Sequence, residues 1–332
     1  MVDPEFNTTP EPLATAPPPA RRGKAVSTQL DFLQRLLTQP KAIIGLVILA
    51  VFFLMAAFAP LIAPQDPNRY VGRPNEPPSS EHWFGTTGQG QDVFSQMVWG
   101  SRISLFIGFS VGVLTTLLGL IIGMIAGYLP GVIDGLLNMF TNVFLLIPGL
   151  PLLITLASFL PPGTVTIILV LTFTGWAWPA RVFRSQVLSL REKDFVSASV
   201  ISGESIAYIV FVEILPNMLS LVVVSFFGAV TYAIASDAGL AFLGFENVNN
   251  VSWGTMLYWA SNSSALLQEA WWTFLPPGLC IALVSFATTM LIYAMDEVTN
   301  PRLRSEKEII SVLKRYHVSA KRSTPVARKT IA

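Results

Sequence analysis

Charge is what this sequence has least of. Asp, Glu, Lys and Arg make up 12% of its 332 residues, about half the share of an average soluble domain, which is roughly 25%. A soluble chain of this length could not cover its surface with that complement. The one cysteine, Cys280, sits in an apolar stretch, so an intrachain disulfide is excluded and nothing points to redox work. Two histidines, His82 and His317, are too few for a histidine-rich metal site. Collagen-type repeats are absent, and 52% of the residues are hydrophobic, which excludes general disorder. What remains is an all-α integral membrane protein that crosses the bilayer several times.

A helix needs about 20 mostly apolar residues to cross the hydrocarbon core. Six stretches qualify as transmembrane helices: 42–63, 103–128, 135–159, 164–180, 214–236 and 274–295. The third contains Pro148, Gly149 and Pro151, which predicts a kink or a break. Lys and Arg favour the cytoplasmic side of such spans. Five precede span 1, four lie between spans 4 and 5, and nine follow span 6. Only Arg69, Arg73 and Arg102 fall in the other connections, so both termini are expected in the cytoplasm.

The ends read differently. Residues 1–28 form a Pro- and Thr-rich cytoplasmic tail expected to be disordered, and 1–6 suit a vector-derived leader as well as native chain. Residues 29–41 set Leu30, Leu33, Leu36 and Leu37 on one helical face. That suits an amphipathic interfacial helix, or equally a cytoplasmic extension of span 1. Residues 64–102 form an extracytoplasmic loop stiffened by Pro64, Pro67, Pro74, Pro77 and Pro78, and 297–332 form a basic cytoplasmic tail.

In span 2, Gly108 and Gly112, then Gly119, Gly123 and Gly127, recur four residues apart, a groove for close helix packing in lipid. No G-x-x-x-x-G-K-[S/T] loop is present to cradle ATP, and no H-E-x-x-H or cysteine-rich metal pattern. No span carries a central charge; Asp237, Asp296 and Glu297 stand at helix ends. Ion-coupled pumps use ionisable groups at membrane depth, so uphill movement here would draw its energy from another chain. An ATP-independent secondary transporter or channel would want those missing charges. A membrane enzyme would want a clustered nucleophile, carboxylate pair or metal site, and none stands out.

The informative polar stretch is the cytoplasmic loop 190–213. It offers an amphipathic helix, a glycine for a φ > 0 turn at Gly203, and a second helix returning to the membrane, a shape that could dock a partner. Ala198, Gly203, Leu215 and Pro216 fit the pattern E-A-A-x3-G-x9-I-x-L-P of ABC-importer permeases, and the segment resembles that family's coupling loop. Ser197 stands where the pattern has Glu, Ser199 replaces the second Ala, and Glu213 replaces Ile. Residues 30–305 resemble the C-type permease subunit of dipeptide and oligopeptide importers. His82-Trp83-Phe84-Gly85-Thr86, Gly90-Gln91-Asp92-Val93-Phe94-Ser95 and Gly100-Ser101-Arg102-Ile103-Ser104-Leu105 carry the likeness. So do Asp237-Ala238-Gly239-Leu240-Ala241-Phe242-Leu243-Gly244, Ser252-Trp253-Gly254, Pro277-Gly278-Leu279 and Asn300-Pro301-Arg302-Leu303-Arg304. The end of span 6, Ile292 to Glu297, departs from the family's G-D-G-L-R-D.

The resemblance implies a type I ABC importer permease fold, with a core over 103–296 in a prokaryotic inner membrane. It implies a heterodimer with a B-type permease, two cytoplasmic ATPases that bind ATP and Mg, and an extracytoplasmic substrate-binding protein. This chain would bind no cofactor or metal, hold no catalytic residue, and form half of a pore for peptides or oligosaccharides. Ser197, Ala198, Ser199, Ser202, Gly203, Glu204, Leu215 and Pro216 would form the ATPase-coupling loop. Trp83, Asp92, Trp253 and Trp259 are candidates for binding-protein docking or pore lining. The aromatics Trp253, Tyr258, Trp259, Trp271 and Trp272 also suit an ordinary interfacial belt.

Overall fold

In the computed structural model, residues 38–299 are described. Nearly all of the 1–28 tail, the 29–41 helix and the 297–332 tail expected from sequence lie outside them. Among the described residues the architecture is helical, with two isolated β-bridges and no strand.

Span 1 is helix α1 (Pro40–Ala57), followed after Phe58 by a short α2 (Ala59–Ile62). Its buried residues Ala42, Gly45, Leu49 and Phe52 fall at helical spacing on one face, while Ile43, Val47, Val51 and Leu54 point outward, as lipid contact demands. Gly45 lies so close to the last helix that a Cβ would stand 2.7 Å from the Ala287 carbonyl oxygen.

Helix α3 (Val93–Tyr128) is the spine of the molecule. Its 36 residues make a rod of about 54 Å, longer than the roughly 30 Å hydrocarbon core. It starts ten residues ahead of the expected 103, because Asp92 caps it by accepting from the Ser95 N–H at 2.8 Å. The glycines of α3 divide their work. At Gly108 and Gly112 the neighbours are Ile234 and Val230; at Gly119, Gly123 and Gly127 they are Pro179, Ala180, Phe183 and Val187. One groove therefore seats two helices, one along each half of the rod.

Those helices are α7 and α10. Span 3 is α4 (Val132–Leu146) and α5 (Gly149–Phe159), bent by 90° where Pro148 interrupts the ladder. Span 4 is α6 (Thr164–Gly175) and α7 (Ala177–Arg191), bent by 41° at Trp176. A short α8 (Asp194–Ile201) and one turn, α9 (Ile206–Tyr208), lead into a π-helical turn over Ile209–Ile214 and then α10 (Leu215–Phe242). The widened turn comes just before Pro216, which has no N–H to continue the α ladder. Helix α11 (Trp253–Asn262) opens with a Ser252/Thr255 capping box, and α12 (Leu275–Thr299) closes the described chain. Among the described residues four helices are long and apolar enough to cross a membrane, and counting each bent pair as one span gives six.

Candidate functional site

The corner between α7 and α10 is built from a few local rules. Helix α8 ends in a full Schellman closure: Gly203 N–H donates to Val200 O at 3.0 Å and Glu204 N–H to Ser199 O at 3.1 Å. Gly203 holds φ = +77° at the C′ position, and nothing lies within 4 Å of where its Cβ would be. The next helix is capped at once, because the Ser205 hydroxyl accepts from the Tyr208 N–H at 3.2 Å. Two helices thus meet across a sharp, hydrogen-bonded glycine turn.

The corner is held from beneath by one apolar cluster. Val196 of α8 packs with Ile209, Ile214 and Met218, and with Phe183, Val187 and Leu190 of α7 and Met124 of α3. Arg191 adds a hydrogen bond to the Tyr128 carbonyl at the end of α3, 3.4 Å. Farther up, Arg184 grips Asp134. The outer side of the corner is left bare. Ser197, Ala198, Ser202, Gly203, Glu204 and Pro216 are exposed, while Ser199 and Leu215 are half-buried. Around them stand Phe195, Val200 and Ile201, the last 86% exposed. Ser197 offers a hydroxyl where a carboxylate would stand in the pattern, so the surface is more apolar than the sequence comparison led one to expect. An exposed apolar patch rimmed by polar groups is the physical signature of a docking surface.

At the opposite end, the four outer residues part company. Trp83 is exposed and packs on Phe94 at 5.1 Å between ring centroids. Trp259 lines a cavity with Tyr70 and Asn250 and donates its indole N–H to Val248 O at 3.0 Å. Asp92 is buried, capping α3 and facing His82 Nδ1 at 3.1 Å. Trp253 is fully buried and donates to Met97 O at 3.1 Å. Neither Asp92 nor Trp253 presents a surface in this chain; both fasten the outer loops to α3.

Sequence reasoning passed over Glu246. It lies buried between α10 and α11, where its Oε2 accepts from the Ser252 hydroxyl at 2.8 Å and its Oε1 has no partner. Burial pushes its carboxyl from 4.5 up to about 7, against the opposing hydrogen bond from Ser252. Asp237 of α10 is buried nearby and also has an unpartnered oxygen. The only signal in the sequence was an acidic residue in an otherwise polar, uncharged loop. Among the described residues no group of three or more His, Cys, Asp or Glu is placed to hold a metal ion.

Comparison with known proteins bears on the whole chain. Residues 119–305 match the family model described as binding-protein-dependent transport system inner membrane component. Residues 28–78 match the N-terminal TM domain of oligopeptide transport permease C. The chain is 34% identical over 284 residues to the oligopeptide transport system permease protein OppC of Bacillus subtilis, covering 85% of this chain and 92% of that one. It is 35% identical over 304 residues to the dipeptide transport system permease protein DppC of Alkalihalophilus pseudofirmus, covering 90% and 97%. The DppC protein of Bacillus subtilis is 34% identical over 282 residues, covering 84% and 88%.

Proposed function

The chain belongs to the family of binding-protein-dependent transport system inner membrane components, and from that premise we propose that it forms half of the peptide pore of an ATP-driven importer. It is a multi-pass permease subunit of the inner membrane. Such a permease works with a second permease, ATPase subunits and a substrate-binding protein. The finer reading is a heterodimer with a B-type permease, two cytoplasmic ATPases, and both termini in the cytoplasm. ATP and magnesium are held by the ATPases, and the chemistry is theirs.

The observation that carries the reading is the bare apolar corner around Gly203. The residues Ser197 to Glu204, with Leu215 and Pro216 behind them, form the knob that an ATPase grips. When two ATPases close on ATP, their knobs are drawn together. Val196, Ile209 and Ile214 sit in the same cluster as Phe183 and Met124, so movement of α8 is passed to α7 and α3 by packed side chains. The pore then opens towards the loaded binding protein, which meets Trp83, Trp259 and the outer loop. Peptide is the cargo class, by likeness to the oligopeptide and dipeptide relatives; the aromatic outer loop keeps an oligosaccharide as the second reading.

Ile201→Asp tests the corner. It puts a charge on a side chain that touches little of its own subunit, so the permease should insert and pair normally while its ATPases no longer co-purify. Retention of the ATPases and of transport would sink the coupling assignment. Mass spectrometry of the ligand that co-purifies with the cognate binding protein decides between peptide and oligosaccharide.

A further inference from the structure

Spans 3 and 4 are both interrupted, and one cavity of about 440 Å³ touches both interruptions. Ile147 and Gly149 flank the first break, Gly175 and Trp178 the second, and Thr115 of α3 and Ser225 of α10 are among the other lining residues. The volume falls within the roughly 300–1,000 Å³ of small-molecule sites. In a bilayer, interrupted backbone is tolerated where it is buried in protein or lines a cavity.

Buried hydroxyls in the bundle fall into two groups: some bond back to their own helix, and others, those of Thr115, Thr116 and Thr172, have no partner; of these three only Thr115 faces this cavity. Thr231 and Thr288 return their hydroxyls to the carbonyls of Phe227 and Val284, four residues back, at 3.0 and 3.1 Å. Thr115 does not: it is 1% exposed and its Oγ1 has no partner. Ser225, equally deep, makes no side-chain hydrogen bond among the described residues. Thr174 Oγ1 lies 2.9 Å from Val170 O and 3.2 Å from the Tyr232 hydroxyl, a hydroxyl pair in which either oxygen can donate. Helix α5 begins at Pro148 beside the cavity without a side-chain cap. The hydroxyls of Thr115 and Ser225 are therefore unspent, and no charged side chain lines the space.

Leaving a buried hydroxyl unpartnered is unfavourable, and the mismatch disappears when a ligand supplies the missing bond. A hydroxyl both donates and accepts, so it answers either half of an amide. An amide crossing hydrocarbon without a partner is costly. With only neutral hydrogen bonds and apolar walls, the cavity holds such a group weakly enough to release it. Resting on the reading of the chain as a peptide permease, we infer that this cavity is a transit subsite for the uncharged backbone of a short peptide, with Thr115 and Ser225 as its hydrogen-bonding pair.

The test uses the complete importer in proteoliposomes and a radiolabelled tripeptide. Thr115→Val keeps the shape and removes the hydroxyl; Ser225→Ala does the same. Each should lower the maximal uptake rate about three- to tenfold, with half-saturation and binding-protein-stimulated ATP hydrolysis unchanged. Thr115→Ser should restore uptake. Gly228→Leu reaches into the same cavity from a position where a Cβ meets nothing within 4 Å, and should block uptake while the subunits still assemble. Full uptake in both hydroxyl variants overturns the subsite, and so does a parallel fall in uptake and ATP hydrolysis, which marks a purely structural role. A wild-type importer that hydrolyses ATP but takes up no tripeptide overturns the peptide reading itself, and with it the proposed occupant.

Discussion

Arg184 clasps Asp134 through two atoms of its guanidinium, Nε to Oδ1 at 2.6 Å and an Nη to Oδ2 at 2.8 Å, joining α7 to the first turn of α4. The pair is half-buried and bidentate, the geometry in which an ion pair contributes beyond its surface value. It ties the start of the broken third span to the helix that leads into the Gly203 corner.

Breaking this clasp should loosen both spans. Asp134→Ala is expected to cost about 1–2 kcal/mol, seen as a lower melting temperature of the detergent-solubilised complex. Arg184→Lys should recover less than half of it, because an ammonium cannot grip both carboxylate oxygens in one plane. A lysine variant as stable as the native chain would show that charge alone suffices.

At Gly203 the restriction is in the backbone and not in the space, since nothing lies within 4 Å of its Cβ position. Gly203→Asn, a residue at ease with positive φ, should couple nearly normally. Gly203→Val should cost about 1–2 kcal/mol locally and weaken ATPase attachment, and Gly203→Arg should abolish it. Co-purification of the ATPases ranks the three. Equal attachment of the asparagine and valine variants would contradict the φ argument.

The reverse holds at Gly123. A Cβ there would stand 2.7 Å from both the Ala180 carbonyl oxygen and Phe183 Cβ, so Gly123→Val should push α7 off α3. Destabilisation of about 1–3 kcal/mol is expected, and it should appear as lost expression or a fall in melting temperature. Gly135→Ala, where a Cβ meets nothing, is the control and should be silent.

Glu246 makes stability depend on pH in a stated direction. Its carboxyl titrates at about 7 in the fold against an ordinary 4.5. Below 4.5 both states hold the proton, and the pH has no effect through this group. Between 4.5 and about 7 the folded chain keeps a proton that the unfolded chain has released, so stability falls as pH rises, and levels off above that. Glu246→Gln should remove this slope and raise the melting temperature relative to native chain on the alkaline side. A native-minus-variant difference that is constant across the window would refute the assignment.

Orientation has a direct check. Glu81 lies in the outer loop and Ser197 on α8, both exposed, and the native Cys280 is buried. In intact cells an impermeant maleimide should label Glu81→Cys and leave Ser197→Cys unlabelled until the membrane is opened. The opposite pattern would invert the topology.

What the sequence made readable depended on whether one residue type could do only one thing. Pro148 between Ile147 and Gly149 cannot continue a helix, so the break in the third span was legible. So was the glycine ladder of span 2 as a packing groove, although its division between α10 and α7 was not, because a small residue does not say which neighbour fills its space. Gly203 was legible as a turn, whereas the exposed Ile201 beside it looked like any helical core residue. The early start of α3 was hidden. Ser95, Gln96 and Ser101 read as loop until their partners are seen, as when Gln96 Nε2 donates to Pro67 O at 3.1 Å. Thr115 carried no signal at all, since a threonine in an apolar helix ordinarily satisfies itself.

The 36 residues of α3 run without a break from one face of the bundle to the other. The rod begins at Asp92, buried against the outer loops, and ends at Tyr128, whose carbonyl accepts from Arg191 beside the corner. Spans 3 and 4 are broken and it is not. On the proposed function, a push from a docked ATPase on one side reaches the other as a tilt of this single rod.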